Sequence, residues 1–140
     1  MPTKIFVNLP VKDLERSKAF FAKLGYSFNP QFTDERAACM VISEDIYTML
    51  LSEPFFKTFT RKEIADAAKT TEVLVALSAD SKGKVDEMLR KALAAGAKEA
   101  REPMEHEFMY GRSFEDLDGH IWEVFWMDPS AINQANAQNQ

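Results

Sequence analysis

The sequence predicts an α+β fold in which one module, a strand followed by a helix and three strands, occurs twice in 140 residues. The first observation is that elements of the same type recur in the same order in both halves. The second is that landmarks recur at separations of 67, 71 and 74 residues, in the pairs Asp13 and Asp80, Gly25 and Gly96, and Met49 and Glu123. Such slow growth is expected of a duplicated module whose second copy has longer loops, and the length suits one domain made of two small halves.

The first half predicts one strand, one helix and three short strands. Residues 4–9 are apolar and β-branched, which indicates a buried strand that Pro10 ends. Asp13 is a good N-cap for a helix whose apolar residues recur at helical spacing, and Gly25 stands where a left-handed residue ends it. Three strands are expected at 26–33, 36–43 and 47–52, with a turn at 44–45.

The second half repeats this order. Residues 72–79 are strand-like, either Asp80 or Ser81 caps a helix with one apolar stripe, and Gly96 ends that helix. Further strands are expected at 98–101, 108–115 and 120–127, with a turn at 117–119.

Between the halves lies a connector, and after them a polar tail. Thr60 and Glu63 fit a capping box that predicts a short helix over 64–68. Three phenylalanines precede it and must be covered by the core, a partner subunit or the mouth of a pocket: Phe55, Phe56 and Phe59. The predicted organisation is therefore module one at about 1–53, a connector at 54–71, module two at 72–128 and a flexible polar tail at 129–140.

Composition excludes several partners and settings. With 17 basic and 22 acidic residues the net charge is −5, which argues against nucleic acid and an anionic membrane surface as partners. We expect no secretion signal and no membrane span, because no apolar run is long enough. The single cysteine, Cys39, excludes an internal disulfide and a multi-thiolate metal site, so we expect a cytoplasmic protein in which Cys39 is a small buried hydrophobe.

Familiar catalytic motifs are absent from the sequence. It contains no Gly-rich phosphate loop ahead of a helix, no HExxH and no Gly-x-Ser-x-Gly. The two histidines, His106 and His120, lie in turn contexts, where surface residues are expected more often than metal ligands.

Glu123 is the single residue that points most specifically to a functional site. Both faces of its strand are apolar, so we expect the strand to be covered on both sides and Glu123 to lie among large hydrophobes. A carboxylate there is costly unless it is paired, protonated or bound to a metal. One interpretation is a buried ion pair or hydrogen bond, for example with Arg112; the other is a role in ligand, proton or metal chemistry.

Asn8 and three neighbouring polar or aromatic residues complete the candidate site. Asn8 shares a face with Phe6, and a buried amide needs partners, either neighbouring backbone or a ligand. Tyr47, Tyr110 and Arg112 can line a cavity beside the methionines of the strands.

With these residues in view, the chain resembles the vicinal oxygen chelate superfamily, which includes glyoxalase I, extradiol dioxygenases, and bleomycin and fosfomycin resistance proteins. The resemblance is carried by LPVKDLERS at 9–17 and by FEDLDGHIWE at 114–123. Together with LVALSAD at 74–80 these motifs span nearly all of 4–127. The resemblance implies two βαβββ modules forming a cupped, curved mixed sheet with helices on the outer face, in a homodimer.

The resemblance also implies four metal-ligand positions, which fall on Phe6, Met49, Leu74 and Glu123. Metal-using members have His or Glu at the first three, so only Glu123 is kept. Phenylalanine and leucine offer no donor atom, and a thioether is a poor ligand for hard or borderline divalent ions. We therefore expect no metal and no other cofactor, although a divalent metal stays the disfavoured alternative.

The leading functional hypothesis is a metal-independent protein that binds a small organic ligand in an apolar cup with Glu123 as polar anchor. The expected ligand-binding residues are Phe6, Asn8, Tyr47, Met49, Leu74, Tyr110, Arg112 and Glu123. The alternative is an enzyme, a lactoylglutathione-lyase-like lyase or an extradiol dioxygenase, with a metal or with Glu123 as catalytic base. A third hypothesis is assembly with a partner through residues 55–59.

Overall fold

The computed structural model describes residues 2–130, so the expected tail lies outside the described residues from 131 onward. Within 2–130 the chain forms two compact units that divide between Asp66 and Ala67, and we call them the first unit and the second unit. Each contains a four-stranded mixed sheet and follows the order strand, helix, three strands. The α+β class with two βαβββ modules is thereby confirmed.

The first unit has the sheet order β1-β4-β3-β2, in which β1 pairs in parallel with β4 and the other pairs are antiparallel. A short 3-10 helix, Pro30–Phe32, follows β2. The elements are β1 Ile5–Val11, α1 Leu14–Lys23, β2 Ser27–Phe28, β3 Ala37–Val41, β4 Ile46–Ser52 and α2 Glu53–Lys57.

The second unit repeats this arrangement with the sheet order β5-β8-β7-β6, in which β5 pairs in parallel with β8. The elements are β5 Leu74–Ser78, α3 Lys82–Ala94, β6 Lys98–His106, β7 Met109–Glu115 and β8 Ile121–Met127. No helix among residues 2–130 is both long enough and apolar enough to cross a bilayer.

The register of the parallel pairs makes positions of the two units equivalent. Asn8 lies beside Met49 in the first unit, as Ala76 lies beside Glu123 in the second. Equivalent positions are held by Phe6 and Leu74, Asn8 and Ala76, and Met49 and Glu123.

Both long helices begin at side-chain caps. Asp13 Oδ1 accepts from the Arg16 backbone N–H at 3.1 Å, and Ser81 Oγ accepts from the Lys84 backbone N–H at 3.1 Å. The N-cap of α3 is therefore Ser81 and not Asp80. The separation between the equivalent helix caps, Asp13 and Ser81, is thus 68 residues and not 67. The predicted glycine stops are confirmed, because Gly25 and Gly96 have φ of 106° and 111°.

Each sheet has a helix face, which is mostly buried, and an opposite face. Alternation along the strands places most of the aliphatic and aromatic core on the helix face, whereas the buried residues Ala37, Cys39 and Leu51 lie on the opposite face. In the first unit this core includes Leu9, Val11, Phe20, Phe21, Met40 and Leu50; in the second unit it includes Val85, Leu89, Phe114, Trp122 and Val124. The opposite face carries Phe6, Asn8, Tyr47 and Met49 in the first unit, and Leu74, Ala76, Ser113 and Glu123 in the second.

The bounds of three predicted strands differ from the structure for an identifiable local reason. Pro10 does not end β1, because β1 is an edge strand, where the missing N–H of proline removes no ladder bond. The strand expected at 26–33 is only Ser27–Phe28, since Asn29 Oδ1 accepts from the Gln31 backbone N–H at 2.9 Å and begins a 3-10 turn. The strand expected at 98–101 continues to His106 across two register shifts.

The helix predicted over 64–68 is wrong. Thr60 Oγ1 accepts from the Lys62 backbone N–H at 3.1 Å, two residues on, which closes a turn instead of capping a helix. The short helix of this region is α2, which begins directly after β4 with Pro54 in its first turn.

Candidate functional site

Glu123 lies on β8, between β5 and β7, and projects from the opposite face of the second unit. Its neighbours across the sheet are Ala76 on β5 and Ser113 on β7, both small. The side chain is half-buried, and within residues 2–130 no hydrogen bond or ion pair joins its carboxylate to another residue. The expectation that large hydrophobes cover this strand on both sides is wrong: the helix face is buried, whereas the Glu123 face is partly exposed.

Ser113 is the unexpected partner of this position. The residue is 2% exposed, yet its Oγ has no hydrogen-bond partner within residues 2–130. Burying a hydroxyl without a partner costs about 1–3 kcal/mol, so the Ser113 hydroxyl is left without a hydrogen bond at an energetic cost. Counting outward from the turn at 117–119 pairs Ser113 with Glu123, and that count was the sequence signal that could have found it.

Arg112 and Tyr110 lie on the helix face and not beside Glu123. Arg112 Nη1 is 3.2 Å from Asp86 Oδ1, and its Nη2 is 2.9 Å from Glu99 Oε2. Tyr110 donates to the same Asp86 oxygen at 2.6 Å. The hydrogen bond from Tyr110, followed by that from Arg112, lowers the pKa of Asp86. These two residues therefore join α3 to its sheet, and the structure does not bring Arg112 to Glu123.

In the first unit, the opposite face carries an aromatic pair. The rings of Phe6 and Tyr47 stack with centroids 4.7 Å apart and planes 9° from parallel. Met49 lies half-buried next along β4. Asn8 Nδ2 donates to the Phe6 carbonyl at 3.1 Å, as the backbone interpretation predicted, but the amide is exposed and not buried.

The donor set does not fit a divalent metal ion. Phe6 and Met49 in the first unit supply one thioether, and Leu74 and Glu123 in the second supply one carboxylate. Hard or borderline ions prefer several oxygen or nitrogen ligands. Within residues 2–130 no group of three or more His, Cys, Asp or Glu side chains lies close enough to hold a metal.

The two histidines lie outside the predicted site, whereas Cys39 on β3 is paired with Met49 and shares its face in the first unit. His106 is exposed at the end of β6, in a strand and not in the expected turn, and His120 is half-buried in the turn before β8. Cys39 is 1% exposed, and burial raises the pKa of its thiol. The prediction that Cys39 is a small buried hydrophobe is confirmed.

A buried carboxylate fixes the turn that leads into β8. Asp116 Oδ1 accepts from the backbone N–H groups of Asp118 and His120 at 2.9 and 3.0 Å, and Oδ2 accepts from Trp122 Nε1 at 2.9 Å. Desolvation raises the pKa of Asp116, although the charge of His120 and the donated hydrogen bonds act against it. This network holds the start of β8, and hence the position of Glu123, in place.

Comparison with known proteins agrees with this geometry. Residues 3–43 match the family described as bleomycin resistance protein-like N-terminal. No curated protein matches the chain in sequence. A hypothetical protein from S. aureus is 28% identical over 90% of this chain and 95% of that chain, with a TM-score of 0.75.

Two further solved structures are named for their family. A glyoxalase/bleomycin resistance protein/dioxygenase family enzyme from Burkholderia phytofirmans PsJN is 16% identical over 87% of this chain and 96% of its own, with a TM-score of 0.72. The fosfomycin resistance protein FosX from Mesorhizobium loti is 16% identical over 95% and 98%, with a TM-score of 0.67. These matches confirm the resemblance that the sequence motifs carry: the chain has the fold of the vicinal oxygen chelate superfamily.

Proposed function

We propose that the protein binds a small organic molecule, without a metal ion, on the opposite face of the second unit. The observation that carries this proposal is the pair formed by the Glu123 carboxylate and the Ser113 hydroxyl, which lie side by side in the ladder. Neither group has a hydrogen-bond partner within residues 2–130.

The chemistry of this pair selects a ligand with a cationic or hydrogen-bond-donating group. A carboxylate attracts cations and accepts hydrogen bonds, and charge-assisted hydrogen bonds of this kind are about twice as strong as neutral ones. The buried hydroxyl of Ser113 supplies a second polar contact. Leu74, Ile121 and Phe125 share the face and supply apolar contact area, as ligand sites usually require.

The names of the structural relatives include both resistance proteins and enzymes. We propose sequestration because Glu123 is the one oxygen donor among the four expected metal-ligand positions. Several solved structures of this fold are named for bleomycin or fosfomycin resistance. We propose a comparable role for this chain, in the cytoplasm and as a homodimer, with Glu123 as polar anchor. Phe6, Asn8, Tyr47 and Met49 stay predictions for the first unit and are not part of the site proposed on the second unit. Tyr110 and Arg112 are left out because they lie on the helix face.

A thermal-shift screen tests this proposal. Bleomycin and a panel of aromatic amines are added to the protein with and without divalent metals. A binder raises the unfolding midpoint by mass action. We expect the shift to need no metal, to disappear in Glu123→Gln and to persist in Glu35→Gln, which removes the same charge at an exposed site of the first unit.

Ser113→Ala provides the second arm of the screen. Removing a buried hydroxyl that lacks a partner is expected to leave stability unchanged or raised, while the affinity for the ligand falls about fivefold to tenfold. Undiminished binding by Glu123→Gln, or a hit that requires a stoichiometric metal, would contradict the proposal. Turnover of a substrate that Glu123→Gln abolishes in a folded protein would establish the enzyme alternative instead.

A further inference from the structure

The first unit contains a pocket whose lining residues do not include Glu123. Its volume is about 400 Å³, within the range of about 300–1,000 Å³ typical of small-molecule sites. The lining residues are Asn8, Leu51, Phe56, Phe59 and Thr60. All of them precede Asp66, so this pocket is formed by the first unit alone.

The aromatic wall of this pocket is exposed but held by its neighbours. Phe59 is 68% exposed, and its ring packs edge-on against Phe55 with centroids 5.1 Å apart. Phe55 in turn lies under the Arg36 guanidinium, 4.5 Å from the ring centroid. None of the three connector phenylalanines is buried, so they are not part of the core. The sequence left three places for these phenylalanines: the core, a partner subunit or the mouth of a pocket. Because Phe56 and Phe59 line the pocket, the structure supports the third.

The polar side chains among the lining residues are Asn8 and Thr60, which offer both acceptors and donors. Because Asn8 Nδ2 donates to the Phe6 carbonyl, its Oδ1 is the acceptor, and no donor reaches that oxygen within residues 2–130. Thr60 Oγ1 accepts from the Lys62 backbone N–H, which leaves the hydroxyl proton to donate. No lysine, arginine, aspartate or glutamate is among the lining residues.

We propose that this pocket binds a neutral, planar aromatic or heteroaromatic ring that carries an N–H or O–H donor. The ring packs against Phe56 and Phe59, since aromatic pairs favour edge-on and offset contacts. Its donor bonds to Asn8 Oδ1, and Thr60 donates to an acceptor on the same ring. A charged group is disfavoured, because no lining residue offers it a counter-charge.

Three fused-ring probes of similar size test the proposed ligand class. 2-Quinolone has a lactam N–H and carbonyl, quinoline has no N–H donor, and 2-naphthoate is charged. Each is titrated into the full chain, with affinity measured by calorimetry and the Asn8 side-chain amide followed by NMR. We expect 2-quinolone to bind saturably, quinoline to bind about fivefold to tenfold more weakly, and 2-naphthoate to bind weakest.

Matched variants locate the site. Phe59→Ser is expected to weaken 2-quinolone binding at least about tenfold, whereas Phe32→Ser, at another exposed phenylalanine of the first unit, leaves it unchanged. Asn8→Ala is expected to remove the preference for 2-quinolone over quinoline while quinoline binds as before. A purely structural role of Asn8 would instead weaken both probes.

The outcomes separate this site from the one at Glu123. Glu123→Gln is expected to bind 2-quinolone with unchanged affinity, even though it loses the ligand of the second unit. Absence of saturable binding by 2-quinolone overturns the inference, as does equal binding of 2-naphthoate. Equal losses in Phe32→Ser and Phe59→Ser, with both variants folded by circular dichroism, overturn it as well.

Discussion

Two glycines with a left-handed backbone differ in what surrounds them. Gly25 has φ of 106° and nothing within 4 Å of an added Cβ. Gly119 has φ of 93°, and an added Cβ would lie 2.7 Å from the Ala67 carbonyl oxygen. We expect Gly25→Ala to lower the free energy of unfolding by about 1–2 kcal/mol, the strain of the left-handed backbone alone. Gly119→Ala should cost at least about 2 kcal/mol more, since backbone must move.

Urea unfolding followed by far-UV circular dichroism checks this pair. Equal losses in the two variants would show that the turn beside Ala67 yields easily, contrary to the close contact in the structure.

Asp116 is the acceptor for three donors in the turn before β8. Asp116→Ala leaves the buried Trp122 Nε1 and two backbone N–H groups without it, so we expect the free energy of unfolding to fall by about 2–4 kcal/mol. Asp80→Ala, at an exposed aspartate of the same unit, should change it by less than about 0.5 kcal/mol. Chemical denaturation of both variants makes the comparison, and similar losses would contradict a special role for the turn.

The raised pKa of Asp116 also predicts a pH dependence. A carboxyl whose pKa is higher in the folded state binds its proton more tightly there than in the unfolded chain. Its contribution to stability is therefore greatest near and below the unfolded pKa of about 4 and is lost as pH rises through the folded pKa. Asp116→Asn cannot titrate, so the stability of the wild type relative to this variant should fall from pH 4 to 7.

Denaturation of the two proteins at each pH measures that difference. A relative stability that increased with pH would mean that His120 and the hydrogen bonds outweigh desolvation at Asp116.

At the level of elements, the start of α3 distinguishes two neighbouring caps. Both Asp80 and Ser81 suit an N-cap by residue type, but only the Ser81 oxygen accepts from the Lys84 backbone N–H. Ser81→Ala should therefore cost about 1 kcal/mol of unfolding free energy, whereas Asp80→Ala should be near neutral. Thermal unfolding of the two single variants decides between them, and the reverse order would place the cap one residue earlier.

The elements that the sequence predicted well are those with three independent local signals. Both long helices have a polar cap, an apolar stripe and a terminal glycine, and the structure confirms all three signals for each. The misplaced elements were predicted from one local sequence signal each, and in the structure a different local hydrogen bond forms there instead. Asn29 begins a 3-10 turn where a strand was expected, and Thr60 bonds to Lys62 where a capping box was expected.

The candidate site was predicted only as far as alternation along single strands reaches. Alternation placed Asn8 on the face of Phe6 and placed Glu123 on the face opposite Trp122, and the strand register agrees. The pairing of Ser113 with Glu123 needed a further step, a count outward from the turn at 117–119. The contact of Arg112 with Asp86 depends on how α3 packs on its sheet, which no pattern along single strands shows.

For the molecule as a whole, the equivalent positions show how the two units differ. The separation between equivalents is 68 residues at β1 and at the helix caps, 71 at the terminal glycines and 74 at β4 and β8. Between the caps and the glycines the separation grows by three residues, which lengthen the helix from 10 residues in α1 to 13 in α3. The other three fall between the glycine and the last strand, so the strand pairing itself is conserved between the units.

The donor set predicts how the whole protein responds to metals. Since one thioether and one carboxylate hold a divalent ion weakly, we expect millimolar Mn²⁺, Ni²⁺ or Zn²⁺ to shift the unfolding midpoint by less than about 1 °C. Treatment with EDTA should likewise change neither the midpoint nor ligand binding. A clear stabilisation by one ion, abolished by Glu123→Gln, would contradict the metal-independent proposal.

Both tryptophans of the chain, Trp122 and Trp126, lie on β8. Trp122 is 1% exposed and donates to a carboxylate, whereas the ring of Trp126 lies beside the Lys82 ammonium. Indole emission from this protein is therefore a local optical reporter that originates entirely in its C-terminal half. An event confined to the N-terminal half, such as docking of a ring beside Phe59, has no indole within its own unit, so a fluorescence assay for it needs an added chromophore there.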